Sequence, residues 1–275
     1  MVQVEDAALR DQLAAQALDR RLDEGVHAVE GRAVALDELA RRDRDARDQA
    51  LRLIVKPVVF VAALGPVGWL TWAGLTGNLS VNPLSDLTNE TGLWAIRFLC
   101  LSLAVTPLRR LTGWNPIITF RRMLGLYAFF YGALHFLVYT IVDRFAGLDF
   151  PDGIVAWSTA RNLAMSVGED IYKRPFITIG FTALMLMLPL AITSTKGWIR
   201  RLGKRWAALH RLAYVAGIAA VVHYYWLVKA DISSPLRYAV ILAVLLGIRV
   251  YWSRVRPLVT AQRSAAAASS SPRQA

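Results

Sequence analysis

Six apolar runs, at about 57–76, 92–108, 123–142, 176–193, 207–228 and 236–253, dominate this 275-residue chain. A bilayer core of ~30 Å takes a helix of roughly 17–25 predominantly apolar residues to cross. The expected fold is all-α: a polytopic six-helix transmembrane bundle with a charged helical N-terminal extension. The second run is the shortest and contains Arg97, whose long side chain can snorkel to the interface. No apolar core of a secretory leader precedes the first run, because residues 1–50 lack one.

Charge is segregated along the chain. Residues 1–54 hold nine of the 32 Lys+Arg and twelve of the 20 Asp+Glu, a net of −3. The rest nets +15 within mostly apolar sequence, which argues against an ordinary soluble enzyme or a nucleic-acid partner and for contact with membrane lipid. Basic residues mark alternate loops. Segment 77–91 has none, the next carries Arg109, Arg110, Arg121 and Arg122, and 194–206 carries Lys196, Arg200, Arg201, Lys204 and Arg205. By the positive-inside bias both termini are expected on the cytoplasmic side.

Three parts are expected: a charged cytoplasmic extension over 1–54, the six-span region over 55–255 and a disordered tail over 256–275. Within the extension, 5–24 and 34–53 read as charged helices, with pairs such as Glu38 and Arg42 on an exposed face. No internal repeat, phosphate loop or dinucleotide fingerprint is legible. One cysteine, Cys100, excludes intrachain disulfides and Cys-ligated clusters. With only about two dozen residues after the last run, no nucleotide-binding domain is expected there.

Three of the four histidines, His135, His210 and His223, fall within the runs; His27 does not. Ionisable groups inside a bilayer are costly, and three imidazoles with no other titratable group deep in the bundle favour a ligand role over mere packing. Imidazole is an axial ligand for haem iron, and haem is apolar enough to sit between helices. Each of His135 and His223 lies a few residues from the outer end of its run, so the two can clamp one iron at similar depth. His210 precedes His223 by thirteen residues, about 20 Å deeper at 1.5 Å per residue. On an ideal helix those two are about 140° apart. Either the fifth helix is distorted, with Gly217 a candidate, or the two face different neighbours. The inner site lacks a histidine partner, so its occupant is a five-coordinate or unusually ligated haem, a quinone or a flavin. Arg97 is a candidate partner for haem propionates at the outer face, and Arg121, Arg122 or Arg211 at the inner one. Tyr127 and Tyr131 read as packing residues.

At these histidines the sequence resembles the MsrQ family, haem-binding membrane subunits of the bacterial periplasmic methionine sulfoxide reductase system within the ferric-reductase-like transmembrane group. The matching segments are NPLSDLTNETG (82–92), VTPLRRL (105–111), FRRMLGLYAFFYGALHF (120–136), DIYKRPFITIG (170–180), TSTKGWIRRLGKRWAALHRLAY (193–214) and HYYWLVK (223–229). The resemblance implies a b-type cytochrome of the inner membrane with His135, His210 and His223 as haem ligands and one or two haems. It implies electrons drawn from respiratory quinol and delivered to a separate periplasmic molybdopterin-dependent catalytic subunit that reduces methionine sulfoxide in oxidised proteins. It also implies FMN binding, at residues nothing here identifies. Two other readings stand beside it: a transmembrane ferric reductase or oxidase-type cytochrome, and a non-redox scaffold or transporter.

Overall fold

The computed structural model describes residues 32, 35–43, 45–47, 49–141, 157–228 and 231–255. The expected helix at 5–24, the tail over 256–275 and His27 lie outside them. Among the described residues, those ahead of Phe60 and those from Phe60 onward form two compact units. In the first, α1 is helical at 35–43, 45–47 and 49–50. Its charges pair at i,i+4: Arg41 with Asp37 at 2.7 Å and Arg42 with Glu38 at 3.0 Å. All four side chains are exposed, so each pair adds only tenths of a kcal/mol.

Among the described residues six helices are long and apolar enough to cross a membrane: Leu53–Leu75, Pro83–Thr112, Asn115–Ile141, Pro175–Ile192, Lys204–Leu227 and Ser233–Arg254. Each coincides with one expected run, and no strand occurs among the described residues. The chain is a multi-pass helical membrane protein. Its regular helices are α2 (Lys56–Leu75), α3 (Pro83–Thr112), α4 (Ile118–Val138), α5 (Trp157–Lys173), α6 (Pro175–Ile192), α7 (Lys196–Leu202), α8 (Lys204–Leu209), α9 (Leu212–Leu227) and α10 (Ser233–Val250).

The second span is thirty residues long, against the seventeen expected from its apolar run. Asn82 begins it: its side chain accepts from the Ser85 N–H at 3.2 Å, with Pro83 in the first turn. An asparagine cap followed by proline is a strong helix start. That start brings the polar stretch Leu84–Thr91 into the helix, although its hydropathy resembles a loop. At the far end Gly113, at φ 70°, closes the helix in the left-handed region that favours glycine.

α2 carries Pro66, which has no N–H to give and crowds the preceding turn. That leaves the Ala62 carbonyl without its helical donor, and Tyr131 of α4 bridges the pair next to it. Its hydroxyl donates to the Ala63 carbonyl at 2.8 Å and accepts from the Val67 N–H at 3.3 Å. Tyr127 donates to the Phe60 carbonyl at 2.7 Å. Both rings lie in an aromatic cluster with Phe98, which stacks on Tyr131 at 5.3 Å. The tyrosines therefore do pack, and they also satisfy backbone groups that a bilayer leaves unsolvated.

The fifth span is interrupted, and the break lies at His210–Arg211, between α8 and α9. Gly217 is not the point of distortion; it sits inside α9 against Leu242 and Leu99. α5 was not legible as a helix. Its sequence is amphipathic rather than apolar, and it buries Val167 and Asp170.

Candidate functional site

α3 packs along α4, and α6 along α9. Between these two pairs lies a cavity of about 650 Å³, within the range of ligand pockets (~300–1,000 Å³) and lined mainly by apolar side chains. His135 of α4 and His223 of α9 both line it, their ring centroids 6.1 Å apart and their planes 76° apart. The sequence pairing of these two histidines thus corresponds to a spatial pair.

Each ring is held at one nitrogen. Nδ1 of His135 lies 2.8 Å from the Thr88 carbonyl of α3, and Nδ1 of His223 lies 2.6 Å from the Phe176 carbonyl of α6. A carbonyl can only accept, so Nδ1 is the donor in both rings. Nε2 is then the unprotonated nitrogen, the state in which imidazole binds a metal. Nitrogen–metal bonds are ~2 Å long, so rings at this separation can share one ion between them. Among the described residues no group of three or more His, Cys, Asp or Glu could hold a bare metal ion. A two-imidazole donor set in an apolar cavity instead suits an iron that brings its own equatorial ligands, as haem does. The residues present fit that group.

The two halves of the cavity repeat each other. Of its 23 lining residues, twenty form ten pairs separated by 88 positions. They include Thr88 and Phe176, Gly92 and Gly180, Ala95 and Ala183, and His135 and His223; the others are 89/177, 93/181, 96/184, 132/220, 136/224 and 139/227. No repeat was legible in the sequence, and identities across this one are few.

The arginines separate. Arg97 does not line the cavity: it reaches Tyr238 at 3.1 Å and Glu90 at 3.6 Å, with its guanidinium 4.6 Å from the Trp94 ring centre. The arginine at the cavity is Arg174, which also pairs with Asp170 at 3.2 Å; Asp170 in turn accepts from the Tyr139 hydroxyl. The sequence reading does not single out Arg174 as a site residue. Its position directly ahead of Pro175, at the start of α6, was the available signal.

His210 stands apart from the cavity, beside the break in the fifth span. Its Nδ1 lies 3.1 Å from the Trp206 carbonyl, and the Trp206 ring stacks on it at 3.9 Å. Nε2 is buried without a hydrogen-bond partner. This third imidazole is thus also tied at Nδ1, and the Leu190 backbone acts on the ring as well. Arg121 lies close enough to act electrostatically on His210 and Tyr214, and the Tyr214 hydroxyl accepts from Arg249. Arg122 points outward and is exposed.

Fold and site together define a six-span helical membrane protein with paired buried imidazoles in an apolar cavity. The chain matches the family described as "Ferric reductase like transmembrane component" over residues 91–221, which include His135 and His210 and end two residues before His223. It is 45% identical over 218 residues to the "Protein-methionine-sulfoxide reductase heme-binding subunit MsrQ" of Xanthomonas euvesicatoria pv. vesicatoria, covering 77% of this chain and 93% of that one. The protein of the same description from Ralstonia nicotianae is 49% identical over 201 residues, 72% of this chain and 85% of its own. That of Xanthomonas oryzae pv. oryzae is 43% identical over 227 residues, 80% and 96%. No solved structure matches. The chain belongs to the MsrQ family.

Proposed function

We propose that this protein is a b-type cytochrome of the bacterial inner membrane that carries electrons from respiratory quinol to a periplasmic molybdopterin-dependent methionine sulfoxide reductase. The observation that carries the reading is the pair of imidazoles in one apolar cavity, each fixed at Nδ1 with Nε2 left for iron. Membership of a family whose members are described as heme-binding subunits supports it. Haem, when bound, supplies a one-electron carrier in the low-dielectric interior.

The chain's own residues have distinct parts in this reading. His135 and His223 hold the outer iron, and the Thr88 and Phe176 carbonyls keep both rings in the ligating tautomer. Arg174 offers a cation to the haem carboxylates at the cavity edge, the part sequence reasoning gave to Arg97. His210, with Arg121 near it, forms the inner redox site on the cytoplasmic side, which takes a second haem or the quinol itself. Arg122 contributes only to the basic inner face. FMN is kept as a family property without assigned residues. The three-part division at 1–54, 55–255 and 256–275, with both termini cytoplasmic, belongs to the same reading.

The overall exchange balances. Quinol oxidation releases two electrons and two protons, and methionine sulfoxide consumes the same to give methionine and water. The electrons cross on this chain and the oxygen atom leaves on the partner. The test is reconstitution in liposomes with a reduced quinone and the soluble catalytic subunit. Methionine formation from an oxidised peptide must require this chain and fail with His135→Ala or His223→Ala. Equal turnover with and without this chain refutes the assignment.

A further inference from the structure

The two cavity imidazoles are seated by a device that occurs once in each half of the site. In a helix the carbonyl of residue i accepts from the N–H of residue i+4, which uses one of its two lone pairs. The Cα–Cβ bond of residue i+4 tilts toward the helix N-terminus, so its side chain covers the turn that carries that carbonyl. A phenol hydroxyl from a neighbouring helix still reaches the second lone pair, as at Ala63 and Phe60, but a broad imidazole ring lying against the helix meets that side chain. At both acceptor carbonyls the residue four positions on is glycine: Gly92 after Thr88, and Gly180 after Phe176. A Cβ on Gly92 would stand 3.0 Å from Nδ1 and 3.2 Å from Cε1 of His135. On Gly180 it would stand 2.6 Å from Nδ1 and 2.8 Å from Cε1 of His223.

Neither glycine is needed for its own backbone, because both lie inside helices without positive φ. Helix-interior glycine costs about 1 kcal/mol relative to alanine. The same cost borne at equivalent positions 88 residues apart, each against a histidine ring, calls for a local reason.

We propose that Gly92 and Gly180 are positioning residues that uncover the Thr88 and Phe176 carbonyls, so that each imidazole donates from Nδ1 and presents an unprotonated Nε2 to the cavity. The geometry stands on its own; its redox consequence rests on the haem ligation proposed above. A ligating imidazole whose other nitrogen donates to a carbonyl is fixed in tautomer and made more basic. Loss of that bond weakens donation to iron and raises the midpoint potential. Gly180 has the closer contact, so its substitution displaces His223 further than substitution of Gly92 displaces His135.

The test compares wild type with Gly92→Ala, Gly180→Ala and the control Gly247→Ala, whose added Cβ meets nothing within 4 Å. The full-length chain, labelled with 15N-histidine in lipid nanodiscs, gives tautomers by solid-state NMR in its haem-free form. The loaded form gives haem retention, electron paramagnetic resonance spectrum and midpoint potential. Wild type and Gly247→Ala are expected to show His135 and His223 as Nδ1–H tautomers. Gly180→Ala loses that tautomer at His223 and, as for other supporting shells, roughly 10–100-fold in haem affinity. Gly92→Ala keeps its haem with an altered low-spin spectrum and a higher potential. Wild-type tautomers, spectrum and potential in both variants overturn the proposal. If Gly180→Ala does not fold, Gly92→Ala decides by the same readings. If wild type takes up no haem, the ligation reading falls, and the haem-free tautomers still decide the role of the glycines.

Discussion

Removing the Tyr131 hydroxyl gives the sharpest test of how the bundle tolerates a proline within its first span. The ring is fully buried, and its oxygen bridges the Ala63 carbonyl (2.8 Å) and the Val67 N–H (3.3 Å) across the turn that holds Pro66. Tyr131→Phe keeps the stacking on Phe98 and deletes only this bridge. A buried polar group left without a partner costs ~1–3 kcal/mol, and two are exposed to that cost here. Part is recovered, because the Val67 N–H can close back toward the Ala63 carbonyl. The expected loss is about 2–3 kcal/mol. Tyr127→Phe removes one bond, to the Phe60 carbonyl, and should cost about 1 kcal/mol. Equilibrium unfolding in mixed micelles on an SDS gradient measures both. A loss below about 0.5 kcal/mol for Tyr131→Phe, or a larger loss for Tyr127→Phe, would refute the bridging argument.

Three further outcomes follow from the same contacts. Asn82→Ala deletes the cap that starts α3 and should cost about 1 kcal/mol, with faster amide exchange over 83–92. Arg174→Gln should reduce haem retention with little change in thermal stability, whereas Arg97→Gln, which severs Tyr238 and Glu90, should do the reverse. Hydrogen bonds from the Ser233 hydroxyl and N–H hold the Asp231 carboxyl below its ordinary value. A depressed carboxylate stabilises the fold above its unfolded pKa of about 3.9 and loses that contribution as pH falls through its folded value. Denaturation of Asp231→Asn should therefore differ from wild type at pH 6 and converge with it only in strong acid.

The bundle was legible because six apolar runs of membrane-spanning length have one physical solution. The helix extension over 83–91 was not, since hydropathy weighs Ser85, Asp86, Asn89 and Glu90 as loop residues. The signal that mattered was the cap, Asn82 followed by Pro83. The histidine pair was legible from depth alone, because buried imidazoles are few. Their carbonyl and glycine partners were hidden by α3's apparent start at 92 and by the thinness of the repeat. Of the ten cavity pairs only Gly92/Gly180, Ala95/Ala183 and His135/His223 are identical. The others are at most similar, as Ile96 and Leu184 or Phe136 and Tyr224, and some, such as Tyr139 and Leu227, share a place in the fold but no chemistry. The misfit between His210 and His223 on an ideal helix was visible in the spacing. The helix breaks at His210–Arg211, where the Trp206 carbonyl takes both the backbone N–H and the imidazole of His210.

The central claim is that His135 and His223 ligate one haem and that His210 serves a separate site. A dithionite-reduced minus oxidised visible spectrum, with haem quantified, tests it on wild type, His135→Ala, His223→Ala and His210→Ala. The account predicts a b-type spectrum in wild type, loss of the same component in the first two variants, and retention of that component in His210→Ala. A wild type without haem after expression with ample haem supply, or loss of that component in His210→Ala, would contradict it.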